Sequence, residues 1–153
     1  YSEVGKGTTF KIYLPRVEEA AYDQLPAPPK SPARGTETIL LVEDDEALRN
    51  LSQRILTSAG YTVLVAARGE EALSLMARHA GPVHLLLTDV VMPGMSGGVL
   101  AGRLMEDHPS LKVLYMSGYT DNAIVNHGVL EEGTQFVGKP FTSAQLTQKV
   151  REV

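Results

Sequence analysis

Ile39-Leu40-Leu41-Val42-Glu43-Asp44-Asp45 sets four apolar residues in a row and stops them on three consecutive acids. A strand with one face in water alternates apolar and polar residues, whereas an unbroken apolar run belongs to a strand covered on both faces. The same device recurs downstream. Leu85-Leu86-Leu87 runs into Thr88-Asp89, Val113-Leu114-Tyr115-Met116 into Ser117-Gly118, and residues 135–138 into Lys139-Pro140. Residues 61–66 form a further strand candidate. Between these runs, residues 46–59, 70–79, 98–107 and 142–152 carry apolar side chains at helical spacing, and a less regular helix is expected near 121–131. In the first helix the spaced residues are Leu48, Leu51, Ile55 and Ala59, and in the last Leu146 and Val150. Strand–helix alternation with short turns predicts an α/β fold, a doubly wound five-stranded parallel sheet with flanking helices.

In such sheets the ligand site lies beyond the carboxyl ends of the strands. The residues waiting there are Glu43, Asp44 and Asp45, then Asp89, then Ser117, then Lys139. Carboxylates about 4 Å apart repel by about 4 kcal/mol per pair at an effective dielectric of 20, so such a cluster calls for a cation. Oxygen ligands without histidine or cysteine suit Mg²⁺ or Mn²⁺ rather than zinc. A lysine and a hydroxyl beside a carboxylate nucleophile complete the parts needed for phosphoryl transfer. Each residue also has a plainer use: Asp45, just before a helix, is equally suited to capping it. The combination at successive strand ends is what gives the chemical reading its weight.

Composition narrows the field. Hydrophobic residues make up 43% of the 153 and charged ones 21%, too apolar a mixture for a disordered chain. The formal net charge of -4 and the lack of a Lys/Arg cluster give no footing for a nucleic-acid backbone. Without cysteine, disulfides, thiolate metal sites and thiol nucleophiles are all excluded, which fits a cytoplasmic setting. The longest apolar runs fall far short of the roughly 20 residues that span a bilayer, so no membrane contact is expected of this fragment. A dinucleotide site is disfavoured because no glycine-rich loop follows the first strand.

Residues 37–153 closely resemble the receiver domain of bacterial response regulators, a flavodoxin-like fold. The matching stretches are Leu41-Val42-Glu43-Asp44-Asp45, Asp89-Val90-Val91-Met92-Pro93-Gly94-Met95-Ser96-Gly97, Met116-Ser117-Gly118 and Lys139-Pro140-Phe141, in the family's order and spacing. The resemblance implies that Asp89 accepts a phosphoryl group from a phosphohistidine of a histidine kinase or histidine phosphotransfer domain. It implies that Asp45, Asp89 and the Val91 carbonyl bind Mg²⁺ directly, that Asp44 acts through water, and that Ser117 and Lys139 hold the phosphoryl oxygens. It further implies a cis Lys139–Pro140 bond and a domain that catalyses its own phosphorylation and dephosphorylation. Phe136 stands at the family's switch aromatic, to move with Ser117, and a homodimer is within the family's range. Ser96 replaces a frequent aspartate but can still cap the third helix.

Gly5-Lys6-Gly7-Thr8-Thr9-Phe10-Lys11-Ile12-Tyr13-Leu14-Pro15 resembles the last glycine box and final strand of a histidine-kinase ATPase domain. Residues 16–36, with Pro26, Pro28, Pro29 and Pro32, read as an extended linker. The expected organisation is therefore a kinase remnant at 1–15, a linker at 16–36 and a receiver at 37–153, from the C-terminal part of a hybrid histidine kinase. Lacking the upstream nucleotide-holding parts, the remnant is not expected to bind ATP. The four scattered histidines, His79, His84, His108 and His127, supply no phosphorylation box, so the donor histidine is expected elsewhere. A Mg²⁺-dependent aspartyl phosphatase is the competing class, weakened because Val91 stands where a second acid would be needed. A purely structural interaction domain is the third.

Overall fold

The computed structural model of the protein describes residues 1–13, 35–118 and 134–153, and the chain divides into two compact units, Tyr1–Ser31 and Pro32–Val153. In the second unit the apolar runs become parallel strands: β3 (Thr38–Val42), β4 (Thr62–Ala66), β5 (Leu85–Asp89), β6 (Lys112–Ser117) and β7 (Phe136–Gly138). Their order in the sheet is β4-β3-β5-β6-β7, so the strand that ends in Asp89 is central. Registers such as Leu41↔Leu87 and Leu87↔Leu114 stack apolar residues across the middle of the sheet.

Because side chains alternate across a strand, each run feeds two cores. Leu40, Val42 and Leu86 pack on one face with Ala72 and Met76 of α2 (Gly69–Arg78) and Leu100 and Leu104 of α3 (Gly97–Asp107). Ile39, Leu41, Leu85 and Leu87 pack on the other with Leu56 of α1 (Glu46–Ser58) and Leu146 and Val150 of α4 (Ser143–Glu152). This is the double coverage that the unalternating runs predict. The helix expected near 121–131 lies outside the described residues. No described helix is long and apolar enough to cross a membrane.

The inward stripe of α1 differs from the expected one. Ser52 and Leu56 are buried, whereas Leu51 is 49% exposed. A shift of one residue turns the helix by about 100°, enough to carry Leu51 off the core side while Leu48, Ile55 and Ala59 stay at its margin.

The first unit carries a short antiparallel pair, β1 (Ser2–Glu3) with β2 (Gly7–Thr8), turned through Gly5 at φ +81°. Here too the sequence expectation is corrected. The stretch expected as a final strand forms none from Thr9 as far as Tyr13, and Phe10, Ile12 and Tyr13 are exposed. The ladder closes where Thr9 N–H donates to Tyr1 O at 2.7 Å, leaving residues 10–13 without an opposite strand among the described residues.

Candidate functional site

The sheet order decides what meets Asp89. Its strand lies between β3, which delivers Glu43 and Asp44 just past Val42, and β6, which ends in Ser117. Beyond β6, β7 leads directly into Lys139. The Lys139 ammonium donates to Glu43 Oε2 at 2.7 Å and to Asp89 Oδ2 at 2.8 Å, tying the end of β7 to the ends of β3 and β5. Its own N–H donates to Ser117 O at 2.6 Å. The Lys139–Pro140 bond is cis, as expected.

Electrostatics follow from burial. Glu43 is only 1% exposed, and this desolvation pushes its carboxyl above the ordinary range even though Lys139 pulls the other way. Burial by itself would lower the Lys139 ammonium, but its hydrogen bonds to Asp89 and Glu43 outweigh that and raise it. Lys139 is therefore a fixed cation at any physiological pH. One carboxylate oxygen each from Glu43, Asp44 and Asp89 lie within 4.8 Å of one another. A single ammonium against three carboxylates leaves a negative excess, and the donors are all hard oxygens. That combination fits a hard divalent cation.

Asp45, expected as a direct metal ligand, stands elsewhere. Its carboxylate caps α1, accepting from Leu48 N–H at 2.8 Å, and Glu43 takes the place assigned to it in the acidic group. The physical reason is proximity to the helix: the residue before Glu46 has orphan N–H groups within reach, and a carboxylate satisfies one of them. Sequence reasoning missed Glu43 because it paired the last two acids of the run. The available signal was the helical spacing that starts at Glu46, which makes Asp45 the cap.

The remaining expected residues sit around this group. Val91 is 60% exposed, and its N–H donates to Asp89 Oδ1 at 3.3 Å. Ser117 is buried at the end of β6, in register with Gly138. Phe136 is half-buried against the core cluster that contains Tyr115 and Leu104. Ser96 caps α3 by accepting from Val99 N–H at 3.4 Å. Immediately after it, Gly97 lies so close to Asp89 that a Cβ would overlap the Asp89 carbonyl oxygen. The start of α3 thus rests directly on the backbone of Asp89.

Residues 39–151 match the response regulator receiver domain family. The chain belongs to this family. The chain is 42% identical over 160 aligned positions to the sensor kinase CckA of Brucella abortus (strain 2308), an alignment covering 99% of this chain and 17% of that protein. It is 33% identical to the response regulator receiver protein CpdR of the same organism, over 75% of this chain and 94% of CpdR. Among solved structures, the receiver domain of the hybrid histidine kinase CckA superposes with a TM-score of 0.63 at 36% identity, over 75% of this chain and 96% of that one. TrrA of Thermotoga maritima, solved in complex with Mg(2+)-BeF, superposes with a TM-score of 0.65 at 28% identity, over 76% of this chain and 98% of its own. The five-stranded parallel receiver fold and membership of two-component signalling are thereby established for this chain.

Proposed function

We propose that this receiver takes a phosphoryl group from phosphohistidine onto Asp89, with Mg²⁺ held by Asp44, Asp89 and Glu43. The observation that carries this reading is the Lys139 bridge, 2.7 Å to Glu43 and 2.8 Å to Asp89, standing beside three clustered carboxylates at the central strand end. An Asp89 carboxylate oxygen attacks phosphorus, the phosphorus–nitrogen bond breaks, and the imidazole keeps the electron pair. The product is an acyl phosphate. Lys139, already within hydrogen-bond distance of Asp89, neutralises the incoming oxygens, and Ser117 at the end of β6 donates to one of them. When bound, Mg²⁺ would supply the positive charge that offsets the crowded carboxylates and the phosphoryl oxygens. The Val91 carbonyl, two residues beyond Asp89, is the backbone ligand of this reading, and Phe136 with Ser117 forms the switch that reports the phosphoryl group.

The wider setting is proposed on the alignment with CckA, which covers 99% of this chain and so runs through residues 1–36 as well as the receiver. On that basis the chain is a C-terminal part of a hybrid histidine kinase, with 1–15 the end of its ATPase domain and 16–36 the linker. Its donor is a histidine kinase or histidine phosphotransfer domain, and its place is the cytoplasm.

Intact-protein mass after incubation with Mg²⁺ and acetyl phosphate tests the acceptor, with Asp89→Asn alongside. One added phosphoryl group on the native chain alone is expected. A folded native chain that gains no mass, or an Asp89→Asn chain that still gains it, would overturn the assignment.

A further inference from the structure

In an extended strand, successive carbonyls and successive side chains point in opposite directions. Glu43 and Asp44 break that pattern. Their carboxylate oxygens lie within 4.8 Å of each other and of an Asp89 oxygen. Their carbonyls are also turned the same way, because one atom reaches both: Arg49 Nη1 lies 2.7 Å from Glu43 O and 3.1 Å from Asp44 O. The chain is kinked between β3 and α1, and the kink is what places two consecutive acids at one site.

Lys139 holds the Glu43 carboxylate at 2.7 Å, but the ties through this segment's N–H groups are long. Glu43 N–H reaches Ala66 O at 3.3 Å, and Asp45 N–H reaches Glu43 Oε1 at 3.4 Å. The guanidinium contact to Glu43 O is the short tie on the Glu43 backbone, and it is charge-assisted. Arg49 is in turn held by the first turn of α1, where its N–H donates to Asp45 O at 2.9 Å and Asp45 caps the helix at 2.8 Å. Loop and helix therefore lock each other through one side chain. An arginine suits the position because its planar fork never loses its charge.

We propose that Arg49 is a positioning residue, whose guanidinium holds the Glu43–Asp44 kink and so preorganises the carboxylates for a divalent cation. This rests on the acceptor reading above. Arg49 touches neither phosphoryl group nor metal in this scheme; it acts through the backbone that carries the ligands.

The test uses the full chain and the variants Arg49→Met and Arg49→Lys. Mg²⁺ affinity is measured by titration calorimetry, and phosphorylation by acetyl phosphate is followed across a range of Mg²⁺ concentrations. Groups that orient metal ligands typically cost tenfold or more in affinity when removed, so Arg49→Met should raise the Mg²⁺ dissociation constant about tenfold. At saturating Mg²⁺ its phosphorylation rate should return to within about twofold of native, and Arg49→Lys should recover part of the lost affinity. In metal-free protein, the amide resonances of Asp44, Asp45 and Glu46 should shift in Arg49→Met. A dissociation constant unchanged in both folded variants overturns the proposal. If Arg49→Met does not fold, Arg49→Lys decides on the same measure. A native chain that binds no Mg²⁺ would overturn the acceptor reading instead, and the metal-free resonances would then still decide whether Arg49 holds the kink.

Discussion

At the first residue of α3, a side chain would meet the Asp89 carbonyl oxygen, and the Gly97 N–H donates to Val90 O at 3.0 Å. The two backbones touch directly, so a methyl group must push them apart. Overpacking of this kind costs about 1–3 kcal/mol, and Gly97→Ala should lower stability to urea by that amount. It should also slow phosphoryl acceptance, since the displaced carbonyl belongs to the acceptor. Unchanged stability would mean that α3 has slack at its start. Ser52 presents the opposite case. Its side chain is buried in α1, and its hydroxyl has no hydrogen-bond partner among the described residues. A buried unsatisfied hydroxyl costs about 1–3 kcal/mol, so Ser52→Ala should stabilise the fold by about 1 kcal/mol. A loss of stability would show that the hydroxyl is satisfied in solution.

At the scale of elements, the junction of β3 and α1 separates two acids that are neighbours in sequence. Asp45→Ala removes the cap of α1 and should cost about 1 kcal/mol in urea unfolding while leaving Mg²⁺ affinity near native. Asp44→Ala should do the reverse, abolishing most Mg²⁺ binding with little effect on the metal-free fold. Equal losses of affinity in both would return Asp45 to the metal site. The same junction marks how far the sequence could be read. The strands and the positions of Asp89, Ser117 and Lys139 were legible because burial on both faces forces unbroken apolar runs, and the polar residue that ends each run is conspicuous. Of the three consecutive acids, the helical spacing from Glu46 marked Asp45 as a cap, but the kink that turns both Glu43 and Asp44 to one site leaves no mark on the sequence. Leu51 was misjudged for a related reason. Helical spacing gives a face, but a polar residue inside the stripe shifts its centre unseen.

Over the whole domain, each core holds a tyrosine whose hydroxyl burial raises, Tyr61 on one face of the sheet and Tyr115 on the other. Tyr115 is buried in the cluster beneath α2 and α3, and burial raises its hydroxyl above the ordinary 10.0. The folded chain therefore holds that proton more tightly than the unfolded one. Its contribution to stability is complete below pH 10.0 and is lost as pH rises through the higher folded value. Tyr115→Phe should flatten the alkaline limb of a stability profile taken from about pH 8 to pH 11, and parallel limbs would contradict this. Sheet order has a further consequence, one measured in time. β5 is paired on both sides, with β3 and along its whole length with β6, whereas β7 ends the sheet among the described residues and pairs only over Tyr115–Ser117. Successive amides of β5 point alternately to β3 and β6, so the strand is shielded on both sides, whereas β7 is shielded on one. Deuterium uptake should thus reach β7 early and β5 last. The chemistry proposed for Asp89 would then occur on the slowest strand of the domain, and the Phe136 assigned to the switch would sit on one that opens early.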